Sequence, residues 1–283
     1  MFSTLKVGIL MTSLTVILYF AFTLFHISPI FALIFALVPN LISYFYSDKI
    51  VLKMYGAKIV DEREAPKLHR IVENIARKAN IPKPKIAIIN TPTPNAFATG
   101  RNPKHGTVAV TTGILNILSP EELEGVLAHE ISHIKHRDIL ISTIVAVLAG
   151  TIMYLANIMQ WGLIFGFGND EDNPWGAIGS ILFILLAPIA ATIIQFAISR
   201  QREFEADKGG AKYSNPIYLA NALQKLERGV EVYPMENGNP ATEHMFIVNP
   251  FKGSSIMNLF STHPPTEERV RRLLELARNP TLR

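Results

Sequence analysis

Four long apolar stretches constrain this 283-residue chain more than any other feature of its sequence. They span residues 7–25, 30–46, 139–165 and 175–199, and none of them contains Asp, Glu, Lys or Arg. A helix needs ~20 residues to cross a hydrocarbon core ~30 Å thick, and each stretch reaches or nearly reaches that length. The first has no small-residue cleavage site, which favours an anchor over a secretion signal. The sequence therefore predicts four transmembrane helices in two hairpins.

The basic residues indicate how the hairpins are oriented, because cytoplasmic loops carry an excess of Lys and Arg. The membrane ends that two hairpins would place on one side are flanked by Lys6, Lys49, Lys53, Lys58, Lys135, Arg137, Arg200 and Arg202. The opposite connectors contain neither residue type, and residues 168–175, GNDEDNPW, are acidic. We expect a multi-pass protein of the cell membrane with both termini cytoplasmic. The net charge of +4 is then an orientation signal, and no nucleic-acid partner is expected.

The hairpins divide the chain into four parts. We expect a first hairpin in residues 1–47, a cytoplasmic region in 48–138, a second hairpin in 139–199 and a second cytoplasmic region in 200–283. Helical spacing predicts several helices in the two polar regions, and the runs KIAIIN and GTVAVTT predict short β-strands. The predicted fold class is a mainly α integral membrane protein with a small β-sheet.

Local signals predict where one helix of each polar region begins or ends. Ser119, Pro120 and Glu122 supply an N-cap, a first-turn proline and a capping-box partner, so a helix should begin there. We expect that helix to run unbroken into the third apolar stretch. The helix that follows the fourth apolar stretch is expected to end at Gly209 and Gly210.

The helix that begins at Pro120 carries the sequence HEISH. His129 and His133 are four residues apart, so both imidazoles project from one side of a helix and can bind one metal ion. Glu130 lies beside them, where it can deprotonate a water molecule without being a ligand itself. The chain has no Cys, so any further protein ligand must be His, Asp or Glu. The alternative is two exposed histidines around a solvated glutamate.

A catalytic zinc site needs a third protein ligand and one open position. The segment ISRQREFEAD, residues 198–207, places Glu203 and Asp207 on one helix face, while Glu205 points elsewhere. His133 and Glu203 both lie within ~10 Å of the same membrane boundary, at ~1.5 Å per helical residue. We therefore expect Glu203 to be the third ligand of one zinc ion and Asp207 to orient a ligating imidazole. Taken alone, each acid is a candidate for an ordinary solvated surface group.

HEISH, SRQREFEAD, the upstream NAFATG and the downstream STHPPTEERV, in that order around four apolar stretches, resemble the HtpX group of membrane-embedded zinc metallopeptidases. The resemblance covers nearly the whole chain, and the longer CAAX prenyl endopeptidases are related. It implies a zincin-like cytoplasmic catalytic domain that degrades damaged or misfolded membrane proteins at the cytoplasmic face. It also implies zinc on His129, His133 and Glu203, with Glu130 as the general base.

The same resemblance implies that Asn95 and His263 line the catalytic cleft. An edge strand beside the zinc helix can bind an extended peptide through its backbone, which makes Asn95, Ala96 and Phe97 candidate substrate-binding residues. His263 precedes two prolines that fix the backbone before a helix, and it can donate a proton or a hydrogen bond to a developing oxyanion. On the residues alone, an ordinary loop histidine is the alternative.

Two alternative functions that do not involve proteolysis remain open. The chain could be a catalytically inactive zinc-binding scaffold, or a membrane protein that senses or moves metal. A transporter would place ionisable residues within its apolar stretches, and these have no charged residue. Pure metal binding gives no reason for a carboxylate next to the first ligand, which favours the enzyme. The expected partners are peptide or membrane-protein substrates and the lipid bilayer.

Overall fold

The computed structural model describes residues 28–147, 199–236, 238–251 and 263–279, together with isolated positions among the first twenty residues. Most of the first apolar stretch, the third beyond Val147 and the fourth apart from its last residue lie outside these ranges. Within the described part, one helix is long and apolar enough to cross a membrane, Pro29–Met54. It carries exposed Ile30 and Phe31 near its start. The four-helix and two-hairpin arrangement, with the domain limits derived from it, stays a prediction.

The described chain is mainly helical and has one small sheet. Its α-helices are α1 Pro29–Met54, α2 Pro66–Ala79, α3 Thr112–Ile117, α4 Pro120–His136, α5 Asp138–Val147, α6 Arg200–Tyr213, α7 Pro216–Val232 and α8 Thr266–Arg278. Its strands are β1 Lys58–Ile59, β2 Lys85–Ile89, β3 Ala96–Thr99 and β4 Thr107–Thr111. Two 3₁₀ helices span Pro103–His105 and Pro240–Met245.

The sheet is mixed, with the strand order β1-β2-β4-β3. Strands β2 and β4 pair in parallel, which places Ala87 opposite Ala109, whereas β1 and β3 pair antiparallel to their neighbours. The two runs predicted as strands are thus confirmed as the central pair. Strand β3 lies at one edge and contacts α4.

Helix α4 is the centre of the domain and packs against α2, α6 and α7. The predicted capping box at its start is confirmed: the Ser119 hydroxyl accepts from the Glu122 amide, and the Glu122 carboxylate accepts from the Ser119 amide. The expected continuity into the third apolar stretch is wrong. Helix α4 ends at His136 because Arg137 adopts a left-handed conformation, with φ 62°, and a new helix begins at Asp138.

The prediction that Gly209 and Gly210 end their helix is also wrong, because α6 continues to Tyr213. These glycines instead allow α6 to lie against α4. A Cβ atom at Gly209 would stand 2.0 Å from the Ser132 Oγ, and one at Gly210 would stand 3.3 Å from the His129 amide nitrogen. The close packing that they permit brings the acidic residues of α6 to the histidines of α4.

Candidate active site

Three side chains from two helices converge beside the sheet. His129 and His133 lie on successive turns of α4, and Glu203 lies in the first turn of α6. The Nε2 atoms of the two imidazoles are 3.1 Å apart. The Glu203 carboxylate oxygens lie 3.5 Å from the His133 Nε2 and 3.8 Å from the His129 Nε2. The structure therefore brings together the three residues that the sequence predicted as metal ligands.

These donor distances fit a tetrahedral zinc ion. Bonds of ~2.0–2.1 Å from zinc to nitrogen or oxygen imply donor-to-donor distances of about 3.3 Å in a tetrahedron. The two Nε2 atoms are 3.1 Å apart, and the contacts from His133 Nε2 to Glu203 Oε1 and from His129 Nε2 to Glu203 Oε2 are 3.5 and 3.8 Å, so the distances lie on both sides of that value. Two nitrogen atoms and a carboxylate are also a donor set that zinc accepts, and they leave a fourth position for a water or a substrate oxygen.

A buried network orients the His129 ring. Its Nδ1 lies 2.9 Å from the Asp207 Oδ1, in the position predicted for an orienting carboxylate. Arg269 donates to both oxygens of that carboxylate, at 2.9 Å from Nε and 2.8 Å from Nη2. Burial lowers the pKa of His129 to about 4, so the ring is neutral. With its proton on Nδ1, facing Asp207, the ring presents an unprotonated Nε2 to the ligand cluster.

Glu203 is held ionised although it is buried. Burial by itself raises the pKa of a carboxyl group. Electrostatic attraction, chiefly from His263, outweighs that effect and places the pKa of Glu203 well below its usual value. A carboxylate that stays negative at this point supplies an anionic ligand for a divalent cation beside the two imidazoles.

Glu130 lies next to the ligand cluster and is almost fully buried. Burial raises the pKa of its carboxyl group to about 7. Glu130 lines a small cavity of about 40 Å³ together with His129, His133 and Glu203. A water molecule needs ~10–15 Å³ of cavity volume, so the cavity has room for a few water molecules next to the carboxylate.

His263 reaches the same cavity from the segment that precedes α8. Its Nδ1 lies 3.2 Å from the Glu203 Oε2, and its buried Nε2 has no hydrogen-bond partner among the described residues. Burial alone lowers the pKa of a histidine, but the charge of Glu203 outweighs it and raises the pKa of His263 above its usual value. The structure thus brings His263 to the ligand cluster, as the sequence suggested.

The outer edge of β3 is already partly paired. The Ile247 amide donates to the Ala96 carbonyl oxygen at 3.0 Å, and Phe97 and Phe246 form an antiparallel bridge. The Asn95 side-chain amide donates to the Val248 carbonyl oxygen at 2.8 Å. The residues predicted to bind substrate, Asn95, Ala96 and Phe97, are therefore buried beneath residues 246–248. Only the far end of β3, at Ala98, lines the cavity.

The sequence did not identify three buried residues around this site. They are Arg269, His244 and Asp138, which contacts His133. A signal existed for Arg269, because it stands at helical spacing with the buried Leu273 and Leu276 and so belongs to the apolar face of α8. His244 lies in a 3₁₀ helix, and its Nε2 lies 3.0 Å from the Ser142 carbonyl oxygen. No sequence pattern predicts that contact, which joins residues 102 positions apart.

Comparison with known proteins assigns the chain to a protein family. The sequence profile of Peptidase family M48 matches residues 62–277. A protein from Methanocaldococcus jannaschii named Protease HtpX homolog is 61% identical over 280 residues, which cover 98% of this chain and 99% of that protein. A Protease HtpX homolog from Thermococcus sibiricus is 56% identical over 281 residues, covering 97% of this chain and 96% of the relative.

A solved structure shares the fold. The crystal structure of Ste24p from S. mikatae aligns with a TM-score of 0.51 and 19% sequence identity. The alignment covers 96% of this chain and 64% of the Ste24p chain, so this chain spans less than two thirds of that larger protein.

Proposed function

This chain belongs to peptidase family M48 and is a metalloprotease, and we propose that it is a zinc-dependent endopeptidase of the cell membrane. The observation that carries the proposal is the convergence of His129, His133 and Glu203 beside the buried Glu130. The matching of these donors to a tetrahedral ion supports zinc as the metal.

Each residue of the site has a role in this proposal. When bound, a zinc ion supplies the Lewis acidity that polarises a scissile carbonyl and makes a water molecule easier to deprotonate. Glu130 takes the proton of the attacking water and later gives it to the leaving amine. Its pKa of about 7 suits both transfers, because a catalytic acid–base group works best near the operating pH. His263 donates a hydrogen bond to the oxyanion that develops on the carbonyl.

The substrate is proposed to be an extended polypeptide that pairs with the edge of β3. Ala98 lines the cavity, so pairing at that end of the strand would bring a peptide carbonyl to the ligand cluster. The predicted contacts of Asn95, Ala96 and Phe97 with substrate require the present contacts with residues 246–248 to open. Damaged or misfolded membrane proteins are the proposed substrates, on the basis of the resemblance to the HtpX group.

We further propose that the catalytic domain and both termini face the cytoplasm, with four spans in two hairpins. The apolar, outward-facing surface of α1 supports insertion of that helix into the bilayer. The bias of Lys and Arg toward one set of membrane ends supports the orientation.

The decisive experiment separates the enzyme from an inactive zinc-binding scaffold. Casein cleavage by the purified protein in detergent should stop when zinc is removed with a chelator and return when zinc is restored. Glu130→Gln keeps the size of the side chain but removes the base, so cleavage should fall by at least ~10²-fold while zinc remains bound. The matched control is Glu205→Gln, because Glu205 is exposed on α6 and should leave the rate unchanged.

Zinc content measured on each sample gives the result its meaning. Near-parental cleavage by a zinc-loaded Glu130→Gln protein would assign the proton transfer to another group. An inactive parent protein with zinc bound would favour the scaffold.

A further inference from the structure

The break between α4 and α5 changes which residues face the ligand cluster. In an unbroken helix, Asp138 would lie five residues beyond His133 and roughly 140° around the axis from it, at ~100° per residue. The left-handed Arg137, an uncommon conformation for a residue with a side chain, turns the chain at this point. Asp138 consequently starts α5 with its carboxylate beside the last turn of α4.

The Asp138 carboxylate is buried between two site residues from different helices. Its Oδ2 lies 3.5 Å from the Nδ1 of His133, and its Oδ1 forms an ion pair with the guanidinium of Arg202. The side chain of Asp138 is 9% exposed, and that of Arg202 is 26% exposed. All three residues line the cavity that contains Glu130.

The contacts around the His133 imidazole repeat those around the His129 imidazole. On one side, the Nδ1 of His129 faces Asp207, which is paired with Arg269. On the other side, the Nδ1 of His133 faces Asp138, which is paired with Arg202. The contact to His129 is the shorter, at 2.9 Å, and its arginine is the more deeply buried. Both imidazoles thus have a carboxylate at Nδ1 and an arginine behind it.

We propose that Asp138 is a positioning residue for the zinc ligand His133, and that Arg202 holds the Asp138 carboxylate in place. The inference rests on the zinc site proposed above. An imidazole that ligates through Nε2 carries its proton on Nδ1, and a carboxylate facing that proton fixes the tautomer and the ring plane. Arg202 immediately precedes Glu203, so one turn of α6 supplies a ligand and also anchors the residue that orients another.

The test measures zinc affinity by competition with a chromophoric chelator, and the visible spectrum of the cobalt(II)-substituted protein. Asp138→Asn keeps the size of the side chain and removes its charge, and it should weaken zinc binding 10- to 100-fold, as is typical of such outer partners. The cobalt spectrum should change, because the ring of a ligand loses its fixed orientation. Glu205→Gln is the matched control, and its affinity and spectrum should equal those of the parent.

A second set of variants tests whether Arg202 acts through Asp138. Arg202→Lys retains a cation and should bind zinc nearly as the parent does, whereas Arg202→Met should weaken binding. The double variant Arg202→Met/Asp138→Asn should bind no more weakly than Asp138→Asn alone, because both changes remove one interaction. If Asp138→Asn does not fold, the two single variants at Arg202 decide the question.

A purely structural tether between α5 and α6 gives a different result. It would lower the unfolding temperature of the metal-free variants while zinc affinity and the cobalt spectrum stay at parental values, and this outcome overturns the inference. A parent protein that binds no zinc would refute the proposed function and this inference with it. A parent that binds zinc, together with an Asp138→Asn variant of equal affinity, refutes the inference alone.

Discussion

Glu203 and Glu205 form a matched pair of residues on one helix. Glu203 is buried against both imidazoles, whereas the side chain of Glu205 is 49% exposed. We expect Glu203→Ala to lose most of its zinc after gel filtration, because it removes one of the three proposed protein ligands. Glu205→Ala should retain about one zinc per chain, as in the parent. Elemental analysis measures both, and circular dichroism on the same samples checks that the variants are folded. The reverse result would assign the third ligand to Glu205.

At this scale, the sequence predicted residues whose geometry follows from helical spacing alone. His129 and His133 are one turn apart, and Glu203 and Asp207 are one turn apart, so each pair had to share a face. Helical spacing marks Arg269 as a buried position but identifies neither its partner nor that of Asp138, because those partners lie on other helices. Their positions depend on tertiary packing, and in the case of Asp138 on a single left-handed residue.

At the scale of elements, the approach of α6 to α4 determines whether the ligands meet. A Cβ atom at Gly209 would stand 2.0 Å from the Ser132 Oγ and 2.7 Å from its Cβ, so rotation of the serine cannot relieve the clash. Gly209→Ala should force the helices apart and destabilise the protein by about 1–3 kcal/mol, as overpacking of a core usually does. Zinc binding should weaken as well. Thermal unfolding and chelator competition would measure the two effects.

The control variant also removes the serine side chain with which the added methyl group would clash. In Gly209→Ala/Ser132→Gly, the serine atoms that clash are gone, and the helix propensity gained at 209, ~1 kcal/mol, offsets the smaller loss at 132. Stability and zinc affinity should return toward the parental values. If the double variant were as unstable as the single one, contact with Ser132 would not be the reason for glycine at 209.

The elements also show where periodicity fails as a predictor. The two central strands, β2 and β4, and the capping box of α4 were predictable from local signals, and the structure contains them. The end of α4 was not, because no apolar pattern changes at Arg137. The pairing of residues 246–247 with β3 was not predictable either. It joins backbone segments about 150 residues apart, and no local pattern of side chains encodes such a contact.

At the scale of the whole molecule, the two halves of the site flank the segment that is predicted to form the second hairpin, residues 139–199. Helix α5 begins at Asp138, and the described part of its apolar sequence ends at Val147. Helix α6, which carries Glu203, begins at Arg200, directly after the fourth apolar stretch. A hairpin returns the chain to the side from which it entered. If residues 139–199 form one, the two halves of the zinc site must lie on the same side of the bilayer.

Topology is therefore the prediction on which the location of the proposed reaction depends. A reporter fused at Asn169, in the connector that lacks Lys and Arg, should report the outside of the cell, and one fused at Arg283 should report the cytoplasm. A fusion at Ile27, between the first two apolar stretches, should also report the outside and tests the first hairpin independently. Equal signals at Asn169 and Arg283 would mean that residues 139–199 do not cross the bilayer and return. The proposed ligands could then still meet, as the packing of α4 on α6 requires, but the membrane would not be what holds them at one depth.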